Sequence, residues 1–392
     1  MNFNYYIPTR ILFGPGKLEE LSKENLPGKK AIIVISSGKS MKENGYLDRL
    51  IKILQSKQIE YALFDKILPN PIKTHVMEGA QLARKEGCDF VIGLGGGSSI
   101  DSAKSIAVMA TNPGDYWDYI SGGTGKGMPL QNPPLPIVAI TTTAGTGTEA
   151  DPWTVITKED TNEKIGFGNY MTFPVLSVVD PELMLSVPEK LTAYQGFDAL
   201  FHSTEGYIAS IATPMSDIYA LKSIELISKY LPECVKNGNN LEARTQLALA
   251  NTLSGFVESI SSCTSEHSLE HALSAHHPEL PHGAGLIMLS EAYYTFFASK
   301  VPERFVDMAK AMGVDVDSLP EDERPFSFVK ALIELQEACG VRDLKMSDYG
   351  IKKEEIPVLA ENARTTMAGL FELDRYKLSL EETIEILNNA YK

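Results

Sequence analysis

Up to about Asp180 the chain alternates short β-rich runs with stretches of helical periodicity, and after Pro181 the β-rich runs stop. Such alternation implies a parallel sheet whose strands are joined by crossover helices. The strand candidates are residues 31–35 (AIIVI), 59–64, 90–94 (FVIGL) and 137–140. Residues 46–55, 76–86 and 99–110 carry apolar side chains at helical spacing between and after them. The runs TVIT, KIGFG and LSVVD between Trp153 and Asp180 surround a turn-like segment, residues 158–163, so a hairpin is expected to close this half.

Beyond Pro181 only helical patterns remain. Residues 241–260 place Ala243, Leu247, Ala250, Leu253, Val257 and Ile260 three or four apart, and similar runs cover 214–230, 285–297, 325–339 and 380–390. A length of 392 residues favours two domains. The expected fold is therefore α/β: a Rossmann-like parallel-sheet domain over residues 1–180, followed by an all-helical domain over 181–392. The Gly- and Pro-rich stretch 122–136 reads as a surface loop.

Composition narrows the partners. With 43% hydrophobic and 22% charged residues the chain is an ordinary globular protein. Its 51 acidic against 36 basic residues give a formal charge of -15, which repels phosphate backbones and anionic lipid heads. Neither nucleic acid nor membrane is expected as a partner. Residues 1–10 lack a basic segment followed by an apolar one, and no stretch reaches about 18 uninterrupted apolar residues, so a cytoplasmic address is expected. Cys88, Cys234, Cys263 and Cys339 form no CxxC pair, which points away from thiolate zinc sites and disulfide frameworks. Cys263 lies near a histidine cluster, but a lone cysteine is more often packing than nucleophile.

Two polar loops follow strand candidates. Residues 93–104 read GLGGGSSIDSAK, directly before a helix, where backbone N–H groups and the positive helix end suit a diphosphate. The sequence fits neither GxGxxG nor the P-loop pattern, and Gly38-Lys39-Ser40 fails the latter because position 33 is Ile. One such loop alone is as readily a tight strand-to-helix turn. A second loop, TTTAGTGTE at residues 141–149, strengthens the nucleotide reading, because two polar loops at strand ends are where such sheets bind dinucleotides. Cofactor choice rests on the segment after AIIVI. Ser37, Gly38, Lys39 and Ser40 follow Ser36, and no acid occurs until Glu43. With nothing there to repel a 2′-phosphate, and with Lys39 to attract one, Ser37, Gly38 and Ser40 join the cofactor-binding candidates and NADP(H) is favoured over NAD(H).

Of seven histidines, five fall between His267 and His282 in EHSLEHALSAHHPELPH. Asp198 and His202, four apart, share a helix face, and His267 and His271 form a similar pair. His282, between Pro281 and Gly283, adds a donor from a helix entry. One carboxylate with several imidazoles suits iron(II) or zinc, whereas calcium and magnesium prefer oxygen shells. Spacing alone leaves open which histidines bind. The alternative of solvated or core histidines holds for His75.

These motifs, together with IPTRILFGPG, VVDPEL, GFDALFHSTEGYIA and LSLEETIEIL, resemble the iron-containing (group III) alcohol dehydrogenases from end to end. The resemblance implies a dinucleotide domain, a helical domain and a metal in the cleft between them, in a homodimer or higher homo-oligomer. It implies metal ligands Asp198, His202, His267 and His282, with His271 near the substrate. Gly95, Gly96, Gly97, Ser98 and Asp101 correspond to its glycine loop, Thr142, Thr143 and Thr146 to its threonine loop, and Lys164 to a lysine near the nicotinamide ribose. The doubled His276-His277 and the segment ARTTMAGLFELDRYKLS depart from the family pattern.

The expected activity is hydride exchange between NAD(P)(H) and a small primary alcohol or aldehyde, with Fe2+ or Zn2+ as the electrophile. A divalent ion stabilises the alkoxide from which hydride leaves, and His271, with an ordinary pKa of about 6.5, is expected to relay the proton. A glycerol or other polyol oxidoreductase is the nearer alternative. A metallohydrolase or lyase would leave the two nucleotide loops without purpose, and a nonenzymatic nucleotide-binding module would leave the ligand set without one.

Overall fold

The computed structural model describes residues 3–392. Residues 1 and 2, which the sequence reading assigns to the first domain, lie outside the described residues. The chain divides into two compact units, one spanning Tyr6–Ser186 and the other Val187–Lys392 together with residues 3–5.

The first unit is built on strands β1 (Arg10–Phe13), β2 (Lys30–Ser36), β3 (Glu60–Ile67), β4 (Phe90–Gly95), β5 (Ile137–Thr141) and β8 (Leu176–Val179). All pair in parallel, in the order β1-β8-β5-β4-β2-β3. The inner strands β2, β4 and β5 are nearly continuous apolar runs because helices cover both sheet faces. One face packs Ile33, Ile35, Ile92, Leu94, Val138, Ile140 and Val178 against Leu50 and Leu54 of the Tyr46–Ser56 helix. The Lys73–Glu86 and Gly97–Thr111 helices complete the crossovers.

The expected hairpin forms from β6 (Trp153–Lys158) and β7 (Glu163–Gly168), antiparallel, with Thr157 opposite Lys164. LSVVD instead enters the main sheet as β8, between β1 and β5. Strand β1, absent from the sequence reading, is a four-residue RILF segment. The strand order reverses direction after β3, since β4 returns to the far side of β2. The loops after β2, β4 and β5 consequently line up along the carboxyl edge, with Val34 level with Gly93 and Gly95 level with Thr141.

The second unit contains no strand among the described residues. Its main helices are Glu189–Ile208, Pro214–Lys236, Leu241–Ser261, Ser265–His276, His282–Ala298, Pro302–Ala311, Phe326–Ala338, Ile356–Thr366 and Leu380–Ala390. Their starts follow capping chemistry: Thr213 accepts from Ser216 N ahead of Pro214, and Ser379 and Glu382 form a capping box. No helix of the described residues is long and apolar enough to cross a membrane.

Candidate active site

Three helices of the second unit assemble the metal-ligating candidates. Asp198 and His202 project from the buried Glu189–Ile208 helix, where a spacing of four puts them on one face. His267 lies in the first turn of Ser265–His276, and His282 opens the next helix after Pro281. Asp198 Oδ1 is the hub of the group. It lies 3.7 Å from His202 Nε2, 3.6 Å from His267 Nε2 and 3.4 Å from His282 Nε2.

These separations exceed the ~2.7–2.9 Å of a charge-assisted hydrogen bond. They match the ~3.4 Å left between donor atoms that share one ion at bonds of ~2.0–2.2 Å in tetrahedral directions. Asp198 Oδ1 and His267 Nε2 are both buried without a hydrogen-bond partner. An unpaired buried carboxylate oxygen is costly, and a cation removes that cost. The donor set therefore fits the metal that the sequence implies. Burial on its own would raise the Asp198 carboxyl, but the imidazoles of His202, His282 and His267 outweigh it and hold the group well below the usual carboxylate range.

Behind the histidines stands a group of carboxylates that the sequence reading did not single out. Fully buried Glu205 contacts His267 Nδ1 and also accepts from Thr264 N at 2.8 Å and Thr264 Oγ1 at 3.0 Å. Fully buried Glu270 contacts His282 Nδ1, whereas Glu258 Oε1 is 3.6 Å from His202 Nε2, the inner nitrogen that also faces Asp198. A carboxylate on the outer ring nitrogen fixes the tautomer and aims the inner nitrogen. The available signal was an acid three residues after a histidine, as in His202 to Glu205 and His267 to Glu270.

His271 lies one turn beyond His267, with ring centroids 6.2 Å from His267 and 5.4 Å from His282. It is buried, and its Nδ1 lies 2.9 Å from Met367 Sδ. His277 instead faces Glu355 at 3.4 Å. Cys263, a free cysteine, is buried close to His202 and His267, and burial pushes its thiol well above the ordinary value.

In the first unit, the glycine and threonine loops pack on each other. A Cβ on Gly97 would come within 2.4 Å of Thr146 Cγ2, and one on Gly96 within 3.0 Å of Thr143 Cγ2. The missing side chains thus admit the second loop. The Gly97–Thr111 helix begins on Gly96 with no side-chain cap, leaving its positive end available to an anion. Ser98, Thr143 and Thr146 are half-buried, and Thr142 is buried with its N–H on Gly95 O at 3.0 Å. Ser37, Gly38, Lys39 and Ser40 are exposed beyond β2.

Asp101 and Lys104 serve the loop from beneath. Asp101 accepts from Thr148 Oγ1 at 2.7 Å and from Val155 N at 2.9 Å. Fully buried Lys104 donates to Thr148 Oγ1 at 2.7 Å, to Asp151 Oδ1 at 3.0 Å and to Trp153 O at 2.7 Å. Lys164 is buried on β7 with Nζ 3.3 Å from Asn70 Oδ1.

Comparison with known proteins agrees with this chemistry. Residues 8–181 match the family model described as iron-containing alcohol dehydrogenase, and residues 192–391 match that of the Fe-containing alcohol dehydrogenase family, C-terminal. The chain is 34% identical to 1,3-propanediol dehydrogenase of Klebsiella pneumoniae, over 92% of each. Its structure is similar to that of an archaeal halo-thermophilic Red Sea brine pool alcohol dehydrogenase, with a TM-score of 0.94 at 34% identity, covering 100% of this chain and 99% of the other. A sulfoacetaldehyde reductase from Bifidobacterium kashiwanohense in complex with NAD+ aligns with a TM-score of 0.84 at 28% identity, covering 99% and 98%. The chain belongs to the iron-containing (group III) alcohol dehydrogenase family and is a metal-dependent alcohol and aldehyde oxidoreductase.

Proposed function

We infer that the protein interconverts small primary alcohols and their aldehydes with NADP(H) in preference to NAD(H), using iron(II) held by Asp198, His202, His267 and His282. The observation that carries the metal assignment is the buried Asp198 oxygen, surrounded by three imidazole nitrogens and hydrogen-bonded to none. A divalent ion there supplies Lewis acidity toward the alcohol or aldehyde oxygen. Glu205 and Glu270 aim two of the imidazoles, and His271, one turn from His267, holds and moves the proton that the alcohol gives up.

Gly95, Gly96, Gly97, Ser98, Thr142, Thr143 and Thr146 are assigned to the cofactor, with Asp101 holding their loops in shape and Lys164 reaching the ribose. The NADP(H) preference rests on the exposed segment after β2. Ser37, Gly38 and Ser40 carry no negative charge, Lys39 adds a positive one, and nearby Asp65 is paired with Lys42 at 2.6 Å. A 2′-phosphate meets little repulsion there.

The test is steady-state kinetics of the iron-loaded enzyme on a panel of short linear alcohols, diols and aldehydes with each cofactor. We expect kcat/KM to be higher with NADPH than with NADH and highest on a primary alcohol–aldehyde pair. A higher kcat/KM with NADH overturns the cofactor assignment, and turnover confined to polyols overturns the substrate class.

A further inference from the structure

Glu258 stands in the last turn of the Leu241–Ser261 helix. A negative charge near a helix C-terminus opposes the helix dipole, so local stability does not account for a carboxylate there. Its placement also differs from that of the other acids around the imidazoles. Glu205 and Glu270 take the outer nitrogens, Nδ1 of His267 and of His282, whereas Glu258 Oε1 lies 3.6 Å from His202 Nε2, the nitrogen that faces Asp198. Glu258 therefore stands beside the ion's position and not behind a ligand. Cys263 Sγ donates to Glu258 Oε1 at 3.5 Å, a weak bond on a group that offers about four acceptor positions in all. Exposure marks the side from which a substrate arrives. The side chains of Asp198, His202 and His267 are 5%, 6% and 4% exposed, whereas Glu258 keeps 12% and His282 24%. A substrate oxygen reaches the ion past these two residues. The charge it meets is one-sided, because Asp198, Glu205, Glu258 and Glu270 together carry more negative charge than one divalent ion offsets.

We propose that Glu258 selects the substrate by charge, receiving an ammonium group carried a few carbons from the reacting carbon. Small primary amino alcohols and amino aldehydes are then favoured, and their carboxylate-bearing counterparts are disfavoured. The proposal rests on the alcohol–aldehyde reading above and names the substrate class of that same site. A substrate oxygen on the ion and Glu258 Oε1 both neighbour His202 Nε2, so a chain of two or three carbons spans them. A charged N–H donor bonds a carboxylate about twice as strongly as a neutral donor bonds a neutral acceptor, and a like charge in the same place is repelled. Selection of this kind needs the carboxylate and no other change in the metal set.

The test compares 3-aminopropan-1-ol, propane-1,3-diol and 3-hydroxypropanoate, which share a three-carbon chain and differ in charge at about pH 7. The iron-loaded full chain is measured beside Glu258→Gln and Glu258→Leu. Steady-state kinetics read kcat/KM, calorimetry reads the dissociation constant of each compound, and iron per chain is determined for every sample. The unaltered protein is expected to prefer the amino alcohol to the hydroxy acid by at least about tenfold in both readouts, with the diol between them. Glu258→Gln keeps the size of the side chain without its charge, so that preference should shrink by about tenfold or more while iron content holds. Glu258→Leu should shift it in the same direction. An equal preference in Glu258→Gln and the unaltered chain overturns the proposal, as does loss of iron from Glu258→Gln, which would make Glu258 a ligand. Turnover of propan-1-ol with no discrimination by charge overturns this proposal alone. Failure to turn over propan-1-ol or any of the three compounds overturns the activity reading with it.

Discussion

At Asp198 one buried oxygen faces three imidazoles, and two of these, His267 and His282, are held at their outer nitrogens by carboxylates. Glu270 contacts His282 Nδ1 from the preceding helix, twelve residues away in sequence. Replacing it with Ala removes that support without touching a donor. We expect metal affinity to fall by roughly 10–100-fold by chelator competition, with Glu270→Gln falling less because its amide oxygen still accepts from Nδ1. Gly285→Ala should act in the same direction, since its Cβ would stand 2.7 Å from Glu270 Cγ. Unchanged metal affinity in both Glu270→Ala and Gly285→Ala would remove the supporting role. A cluster of candidate donors was legible in sequence because Asp198 and His202 stand at helical spacing and most histidines cluster, whereas the choice among the histidines came from the family resemblance. The Glu270–His282 pairing was not legible, because it joins two helices whose packing no local period encodes.

The loops of the parallel sheet work as one element. Gly97 faces Thr146, and fully buried Lys104 ties Thr148, Asp151 and Trp153 to the Gly97–Thr111 helix. Lys104→Met leaves Asp151 without its cation, and we expect a loss of about 3–5 kcal/mol in urea unfolding. In Gly97→Ala the added methyl pushes the two loops apart, so the KM for the nicotinamide cofactor should rise while bound metal per chain stays constant. A cofactor KM equal to that of the unaltered protein would show that the loops do not act through this contact. The sequence revealed the loops through glycine and threonine runs following strands. It assigned the glycines to phosphate contact, whereas Gly96 and Gly97 also admit the facing threonines. The partners of Asp101 and Lys104 lie more than forty residues away and left no local trace.

For the whole molecule, the alternation of β-rich and helical runs anticipated the parallel sheet and the helical region, because buried strands and amphipathic helices have distinct periods. Strand β1 escaped because RILF is only four residues long and pairs with β8, more than 160 residues away. The pH response of stability has an identifiable source in Asp374. Burial pushes its carboxyl up to about 7, with Glu205 adding to the rise, while it accepts from Ser265 N at 3.3 Å and Tyr293 Oη at 3.4 Å. Between about pH 4 and 7 the unfolded chain ionises this group while the folded chain keeps it protonated, so stability falls as pH rises, by up to about 4 kcal/mol. Asp374→Asn should flatten that fall in urea unfolding compared at about pH 5 and pH 8, and an unchanged difference would assign it to other groups.

The central claim, that Asp198, His202, His267 and His282 hold one divalent ion and His271 does not, is tested most directly by metal content per chain. Each of the five residues is changed singly to Ala, and the purified proteins are checked for native secondary structure and reloaded with iron(II). The account predicts loss of tightly held iron from the first four and retention in His271→Ala. Iron retained by Asp198→Ala or His282→Ala, with loss from His271→Ala, would contradict it.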